Sequence, residues 1–113
     1  MDVQLRRGLL DYCVLAVLKE EDSYGYMIIK KMAPILEISE STLYPILKRL
    51  ESNEFVSSYS VEHNGRLRKY YKVTEKGTIR LLDFTKEWED VEAVINYIKG
   101  VVKKWINLSF LCY

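Results

Sequence analysis

The sequence predicts a mainly α chain that carries one small β-hairpin and closes on a long helix. Three observations predict it. Leu43, Ile46, Leu47 and Leu50 fall at i, i+3, i+4 and i+7, one apolar stripe of an α-helix. Asn64-Gly65 stands between two runs rich in Val, Tyr, Phe and Ser. That pair is the strongest short-range sign of a hairpin, because both turn residues must take φ > 0. Leu81, Phe84, Trp88, Val91, Ile95, Ile98, Val102 and Trp105 alternate spacings of three and four, an a/d heptad seam.

Residues 4 to 20 place Leu9, Leu10, Cys13, Val14, Val17 and Leu18 at helical spacing, so the first helix is a core helix. Ser23 is placed to cap a second helix from about Tyr24 to Met32, with Met27, Ile28 and Met32 inward and Lys30 and Lys31 outward. Pro34 disfavours a helical Ala33 and should end that helix. The third helix covers Ser39 to Glu51. Its exposed side carries Ser41, Pro45, Lys48 and Ser52, flanked by Thr42 and Arg49, with Tyr44 at the edge of the apolar stripe. Pro45 leaves the start open. With Thr42 as cap the proline sits without penalty, whereas a start at Ser39 makes it remove a bond and kink the first turns. Asn53 is a candidate C-cap. Two short helices joined by a tight connection form a helix-turn-helix, whose second helix enters the major groove.

Phe55 to His63 and Arg66 to Val73 then read as strands. A two-residue turn pairs His63 with Arg66, Val61 with Arg68 and Tyr59 with Tyr70. Val56, Leu67, Tyr71 and Val73 share the other face, which is expected to pack on the helices. Arg66, Arg68 and Lys69 crowd the tip, a costly repulsion that makes sense beside a polyanion. A helix-turn-helix followed by a basic hairpin is a winged helix. Thr74 is placed to cap the last helix, with Glu75 at the positive end of its dipole. Gly100 lowers helix propensity by about 1 kcal/mol. The helix either breaks there or runs on, and continuation to about Trp105 is expected. The expected organisation is a winged helix-turn-helix over 1–74 and a dimerisation helix and tail over 75–113. The tail from Ile106 to Tyr113 is apolar for a terminus, and its pattern has no physical account beyond further dimer contact.

Composition narrows the function. At 113 residues with 49% hydrophobic and 29% charged content, the chain is globular and large enough for one modest core. Net charge is only +1, but Gly65 to Arg80 carries six cations against Glu75 alone, while Glu87, Glu89, Asp90 and Glu92 follow closely. A basic segment beside an acidic helix fits a module that binds an anion on one face. Arg6 and Arg7, at the exposed start of the first helix, are within reach of phosphate or simply solvated. Two cysteines, Cys13 and Cys112, make no disulfide framework, and no signal peptide or membrane-length apolar run occurs. The expected address is the cytoplasm. One histidine, no Cys-x-x-Cys pair and no phosphate or dinucleotide loop leave no catalytic, metal or cofactor site to assign.

The blocks LLDYCVLAVL, SYGYMIIKKM, SESTLYPILKRLE and NGRLRKYYKVTEKG occur in this order. The chain resembles the PadR-like transcriptional regulators from about Leu9 to Lys99. Their pattern has a Tyr-Gly-Tyr-type turn into helix two, a Thr-Leu-Tyr-Pro recognition helix and an Arg-Lys-Tyr-Tyr wing ending in Thr-Glu-x-Gly. One departure is Ser41, where the family commonly has Gly. The resemblance implies a homodimeric, sequence-specific DNA-binding regulator, a repressor, acting on palindromic double-stranded DNA. The expected DNA-binding residues are Ser41, Thr42, Tyr44, Pro45, Lys48, Arg49, Asn64, Gly65, Arg66, Arg68 and Lys69. Leu81, Phe84, Trp88, Val91, Ile95 and Ile98 are expected to build the dimer. Some members bind aromatic drugs at such an interface through a Trp in a matching helix. Here Trp88, with Phe84 and Val91 as walls, either fills the dimer core or admits a small aromatic effector. The alternative from another class is a winged-helix module that docks a protein without contacting DNA.

Overall fold

The computed structural model describes residues 1–111. Asp2 starts helix α1 (Val3–Glu20), its carboxylate accepting from the Leu5 N–H at 3.1 Å. There follow β1 (Ser23–Tyr24), α2 (Gly25–Met32), α3 (Glu40–Ser52), β2 (Val56–His63), β3 (Arg66–Val73) and α4 (Glu75–Leu111). One compact unit spans Met1–Leu82, and a second begins at Asp83. The first unit holds the core. Leu10, Val14, Leu15, Val17 and Leu18 of α1 meet Ile28 and Met32 of α2, the four stripe residues of α3, and Ile38, Val56 and Tyr71. The 3.6-residue spacing of the α3 stripe is what brings Leu43, Ile46, Leu47 and Leu50 together on that core.

The expected hairpin forms with the expected register, His63 opposite Arg66, Val61 opposite Arg68 and Tyr59 opposite Tyr70. Asn64 and Gly65 take φ of 51° and 77°, as the two-residue turn requires. A third strand was not foreseen. Ser23 and Tyr24 pair antiparallel with Tyr71 and Tyr70, giving sheet order β1-β3-β2. Ser23 is therefore a buried strand residue and not the cap of α2, whose N-cap position falls to Tyr24 without a side-chain bond.

Two other expectations, on Ala33 and Leu67, are corrected, and the start of α3, left open, is decided. Ala33 keeps helical angles (φ −48°, ψ −46°) despite Pro34, donating to the Ile29 carbonyl at 3.0 Å. The Ile35 and Leu36 N–H groups both bond to Met32 O and carry the turn on past the proline. Helix α3 takes the earlier of its two starts, with Ser39 as N-cap and Pro45 inside the helix. Leu67 does not pack on the helices and is 77% exposed. It lies next to the turn, opposite Glu62, beyond the helical core, while Val56 and Tyr71 on the same face are buried.

Asn53 is the C-cap of α3, as expected, and Glu54 behind it takes the left-handed turn at φ 63°. The Phe55 N–H returns to Leu50 O at 2.9 Å, closing the helix end. Thr74 then fastens α4 to this corner. Its N–H donates to Phe55 O at 3.0 Å, its hydroxyl donates to Glu54 O at 2.7 Å, and Oγ1 accepts from the Gly77 N–H at 3.0 Å. Gly77 is required by close approach, since a Cβ there would lie 2.1 Å from Phe55 O. Helix α4 passes through Gly100 without interruption. Residues 106–111 of the tail continue it, and Cys112 and Tyr113 lie outside the described residues. Val91, Ile95, Ile98, Val102 and Trp105 are exposed within the single chain, as are the neighbouring Val94 and Val101.

Candidate nucleic-acid interface

Helix α3 presents its polar side to solvent: Ser41, Thr42, Pro45, Lys48 and Arg49 are all exposed. Helical periodicity sorts them. Ser41, Pro45 and Lys48 lie opposite the buried stripe, and Thr42 and Arg49 turn toward α1. At the start of the helix the Ser39 Oγ lies 2.9 Å from the Ser41 Oγ and 3.2 Å from the Thr42 Oγ1, a cluster of hydroxyls able to donate or accept.

Tyr44 turns the other way, toward α2. It is half-exposed, and its hydroxyl would sit 2.6 Å from a Cβ added at Gly25. The glycine of the Tyr-Gly-Tyr turn is thus the seat of the α3 tyrosine. Arg49 is held within the chain. Asp11 of α1 receives its Nε at 3.1 Å and its Nη2 at 2.6 Å, a bidentate pair. This hydrogen bonding to Asp11 raises the Arg49 pKa above its ordinary value.

The hairpin divides its cations between two faces. Strand alternation puts Arg66, Arg68 and Lys72 on the outer face with Tyr59 and Tyr70, and Lys69 on the inner face with Leu67 and Tyr71. The tip therefore does not gather three like charges on one side. Lys69 pairs with Glu51 of α3 at 3.7 Å, and its Nζ lies 5.3 Å from the Tyr71 ring centre. Ser58 donates to the same carboxylate at 2.5 Å. Arg66 is exposed beside the turn residues Asn64 and Gly65.

Arg68 is half-buried, its guanidinium 4.1 Å from the centre of the Tyr24 ring. Tyr24 and Tyr59 both pack against Tyr70, with ring centres 5.3 and 5.7 Å away. The Tyr59 hydroxyl donates to Asp22 at 2.7 Å, and that bond raises its pKa. This Tyr–Arg layer joins β1 to the hairpin. The sequence reading missed it. The cross-strand pair Tyr59/Tyr70 was legible from register, but the two-residue strand that adds Tyr24 leaves no periodic signal.

The residues expected to build the dimer and to meet an effector lie on α4. Leu81 is partly buried against the core of the first unit. Phe84 and Trp88 stack along the helix, ring centres 5.8 Å apart at 26°, and both are half-buried. Val91, Ile95 and Ile98 are exposed. Among the described residues no cluster could hold a metal ion, and no helix is long and apolar enough to cross a membrane.

Comparison with known proteins places this arrangement. The sequence signature of the transcriptional regulator PadR-like family matches residues 14–83. A protein from Streptococcus mutans is 47% identical over 80% of this chain and 85% of its own, with a TM-score of 0.72. A PadR family transcriptional regulator from Eggerthella lenta is 33% identical over 85% of this chain and 86% of its own, with a TM-score of 0.77. PadR of Bacillus subtilis, solved in complex with operator DNA, shares the fold at a TM-score of 0.64 and 24% identity. That match covers 68% of this chain and 46% of the Bacillus protein. Such proteins regulate transcription and are not enzymes. With the matched residues spanning more than half its length, the chain belongs to the PadR-like family of transcriptional regulators.

Proposed function

We propose that the protein is a homodimeric repressor that binds a palindromic DNA operator, with α3 in the major groove and the hairpin along the adjacent backbone. The observation that carries this reading is the pairing, in one compact unit, of a polar helix ridge with the outer basic face of the wing. Ser41, Pro45 and Lys48 supply the ridge, Arg66 and Lys72 the wing, and Asn64-Gly65 the tight turn at its tip. Hydroxyls and lysine suit base edges, while the wing cations suit phosphates. The operator complex of Bacillus subtilis PadR, a protein of the same fold, supports it. In this reading residues 1–74 bind DNA and 75–113 dimerise.

The apolar face of α4 supports the dimer. Trp88, Val91, Ile95 and Ile98 keep heptad spacing, and burying such side chains is worth about 1.5–3 kcal/mol apiece. A second copy of the same helix has the matching seam, and a two-fold pair mirrors a palindrome. The stacked Phe84 and Trp88, followed by Val91, would meet their counterparts near the axis. They would form either a filled seam or a slot for a planar aromatic effector.

A second reading, docking of a protein without DNA, is favoured by one observation: Arg49 and Arg68 are engaged inside the chain. Fluorescence anisotropy with labelled genomic fragments at two salt concentrations separates the two. A repressor binds saturably, loses affinity with salt, and loses about one unit of salt slope in Arg66→Ala. Binding that ignores both salt and Arg66→Ala would overturn the DNA reading.

A further inference from the structure

The cleft between α1 and α3 borders the α3 ridge but makes no backbone contact in the reading above, in which the wing carries those contacts. It encloses about 400 Å³, lined along α1 by Arg6, Arg7 and Asp11 and along α3 by Ser41, Thr42 and Arg49. Three guanidiniums, two hydroxyls and a single carboxylate thus rim one open cleft whose floor also carries Val3, Leu10, Pro45 and Ile46. Such a donor set suits a tetrahedral oxyanion that accepts from forked N–H groups and O–H groups together. The groups are held in place. Arg6 donates to the Glu37 carbonyl at the connection leading into α3. Ser41 and Thr42 are linked through Ser39, and Arg49 is gripped by Asp11.

Position selects the ligand. Thr42 and Arg49 belong at once to the cleft and to the edge of the exposed ridge of α3. A duplex whose groove receives that ridge has one phosphate backbone running along its α1 side. The wing would then serve one strand and the cleft the other. Asp11, meanwhile, occupies Arg49 in the bidentate manner of a phosphate. Its side chain is 25% exposed and that of Arg49 50%, so solvent screens the pair and exchange of one anion for another is cheap.

We propose that this cleft seats a backbone phosphate of the bound DNA, contacted by Arg7 and by Arg49, and that Asp11 occupies Arg49 until the phosphate displaces it. The proposal rests on the DNA-binding reading and adds a second backbone contact and an internal competitor to it. Asp11 keeps the recognition helix from clinging to any passing polyanion, since each non-specific encounter must first break the pair.

Binding of the full-length protein to a labelled mixed-sequence duplex, followed by anisotropy from about 50 to 200 mM salt, tests it, because phosphate contacts act on any sequence. Arg7→Ala should weaken binding and flatten the salt slope by about one unit. Asp11→Asn should tighten binding by up to about fivefold, the scale of an exposed ion pair, and Arg49→Ala should abolish that improvement. Melting curves of each variant show whether it is folded, and Arg7, exposed at the surface, can be replaced even if the Asp11 variant is unstable. An unchanged slope in Arg7→Ala overturns the proposal. So does a folded Asp11→Asn that binds as poorly as Arg49→Ala, since the pair is then a brace between the helices. Wild-type protein that does not bind the duplex at all removes the DNA reading itself. A normal wild-type slope lowered by Arg66→Ala but not by Arg7→Ala removes only this inference.

Discussion

Replacing Gly77 by Ala sets two effects of opposite sign against each other. On helix propensity alone the change should stabilise, by up to about 1 kcal/mol. The surroundings forbid it. The added Cβ would sit 2.1 Å from the Phe55 carbonyl oxygen and 2.9 Å from Val73 Cγ1. Ordinary carbon–oxygen contacts lie near 3.3 Å or beyond, so the backbone must give by about 1 Å. That carbonyl also accepts the Thr74 N–H at 3.0 Å, so moving it loosens the capping corner. Forced overpacking costs about 1–3 kcal/mol and a loosened hydrogen bond about 1 kcal/mol. The net expectation is a loss of about 2–3 kcal/mol, or a fall in Tm of about 10 °C. Gly8→Ala in α1 and Gly100→Ala in α4 are the controls, because a Cβ at either meets nothing within 4 Å. Each should stabilise by up to about 1 kcal/mol in urea titrations followed by circular dichroism. A Gly77→Ala protein unfolding at or above the wild-type midpoint would refute the steric argument.

Leu67→Ala, at a position 77% exposed, should change stability by less than about 0.5 kcal/mol, whereas Leu47→Ala, at 1% exposure, should cost about 2–5 kcal/mol. Equal losses in the two variants would mean that the hairpin tip packs on something in solution. Tyr59 should deprotonate above the ordinary tyrosine range, because its hydroxyl donates to Asp22. A tyrosine whose pKa is raised on folding contributes stability that is fully present below its unfolded pKa and lost as pH rises through the folded one. Ultraviolet titration of wild type against Asp22→Asn reads this, and superimposable curves would contradict it. Ile95→Glu, placing a charge in the exposed α4 seam, should convert a sedimenting dimer to a monomer. A dimer that survives both it and Ile98→Glu would put the interface elsewhere.

Much of this fold could be read from the sequence because its elements advertise themselves locally. The α3 stripe needs only period 3.6, and the hairpin needs only Asn64-Gly65 and two strands, so both were placed with the right register. Features that depend on residues far apart in the chain could not be read. Asp11 and Arg49 stand thirty-eight positions apart on two helices, and neither looks unusual in its own segment. Tyr24 reads as the start of a helix until Tyr70 offers it a strand partner. Leu67 alternates correctly with Tyr71 and Val73, yet alternation gives only the face. Whether that face is covered depends on where the helices stop, which no period encodes.

The same distinction bears on the cations. Counted along the sequence, Arg66, Arg68 and Lys69 are three like charges in four positions, and repulsion is the argument for a polyanion. Folded, the strand separates them. Arg68 spends its guanidinium on Tyr24, Lys69 turns inward to Glu51, and Arg66 is left exposed at the tip. Crowding at the wing therefore does not make the surface attractive to DNA. Exposed cations from separate segments (Arg7, Lys48, Arg66 and Lys72) supply the positive charge instead. Removing Arg7, Arg66 or Lys72 should weaken binding modestly and by a similar step in salt slope. A single substitution that abolished binding would instead point to a base-edge contact, and Lys48 on the α3 ridge is the residue placed to make one.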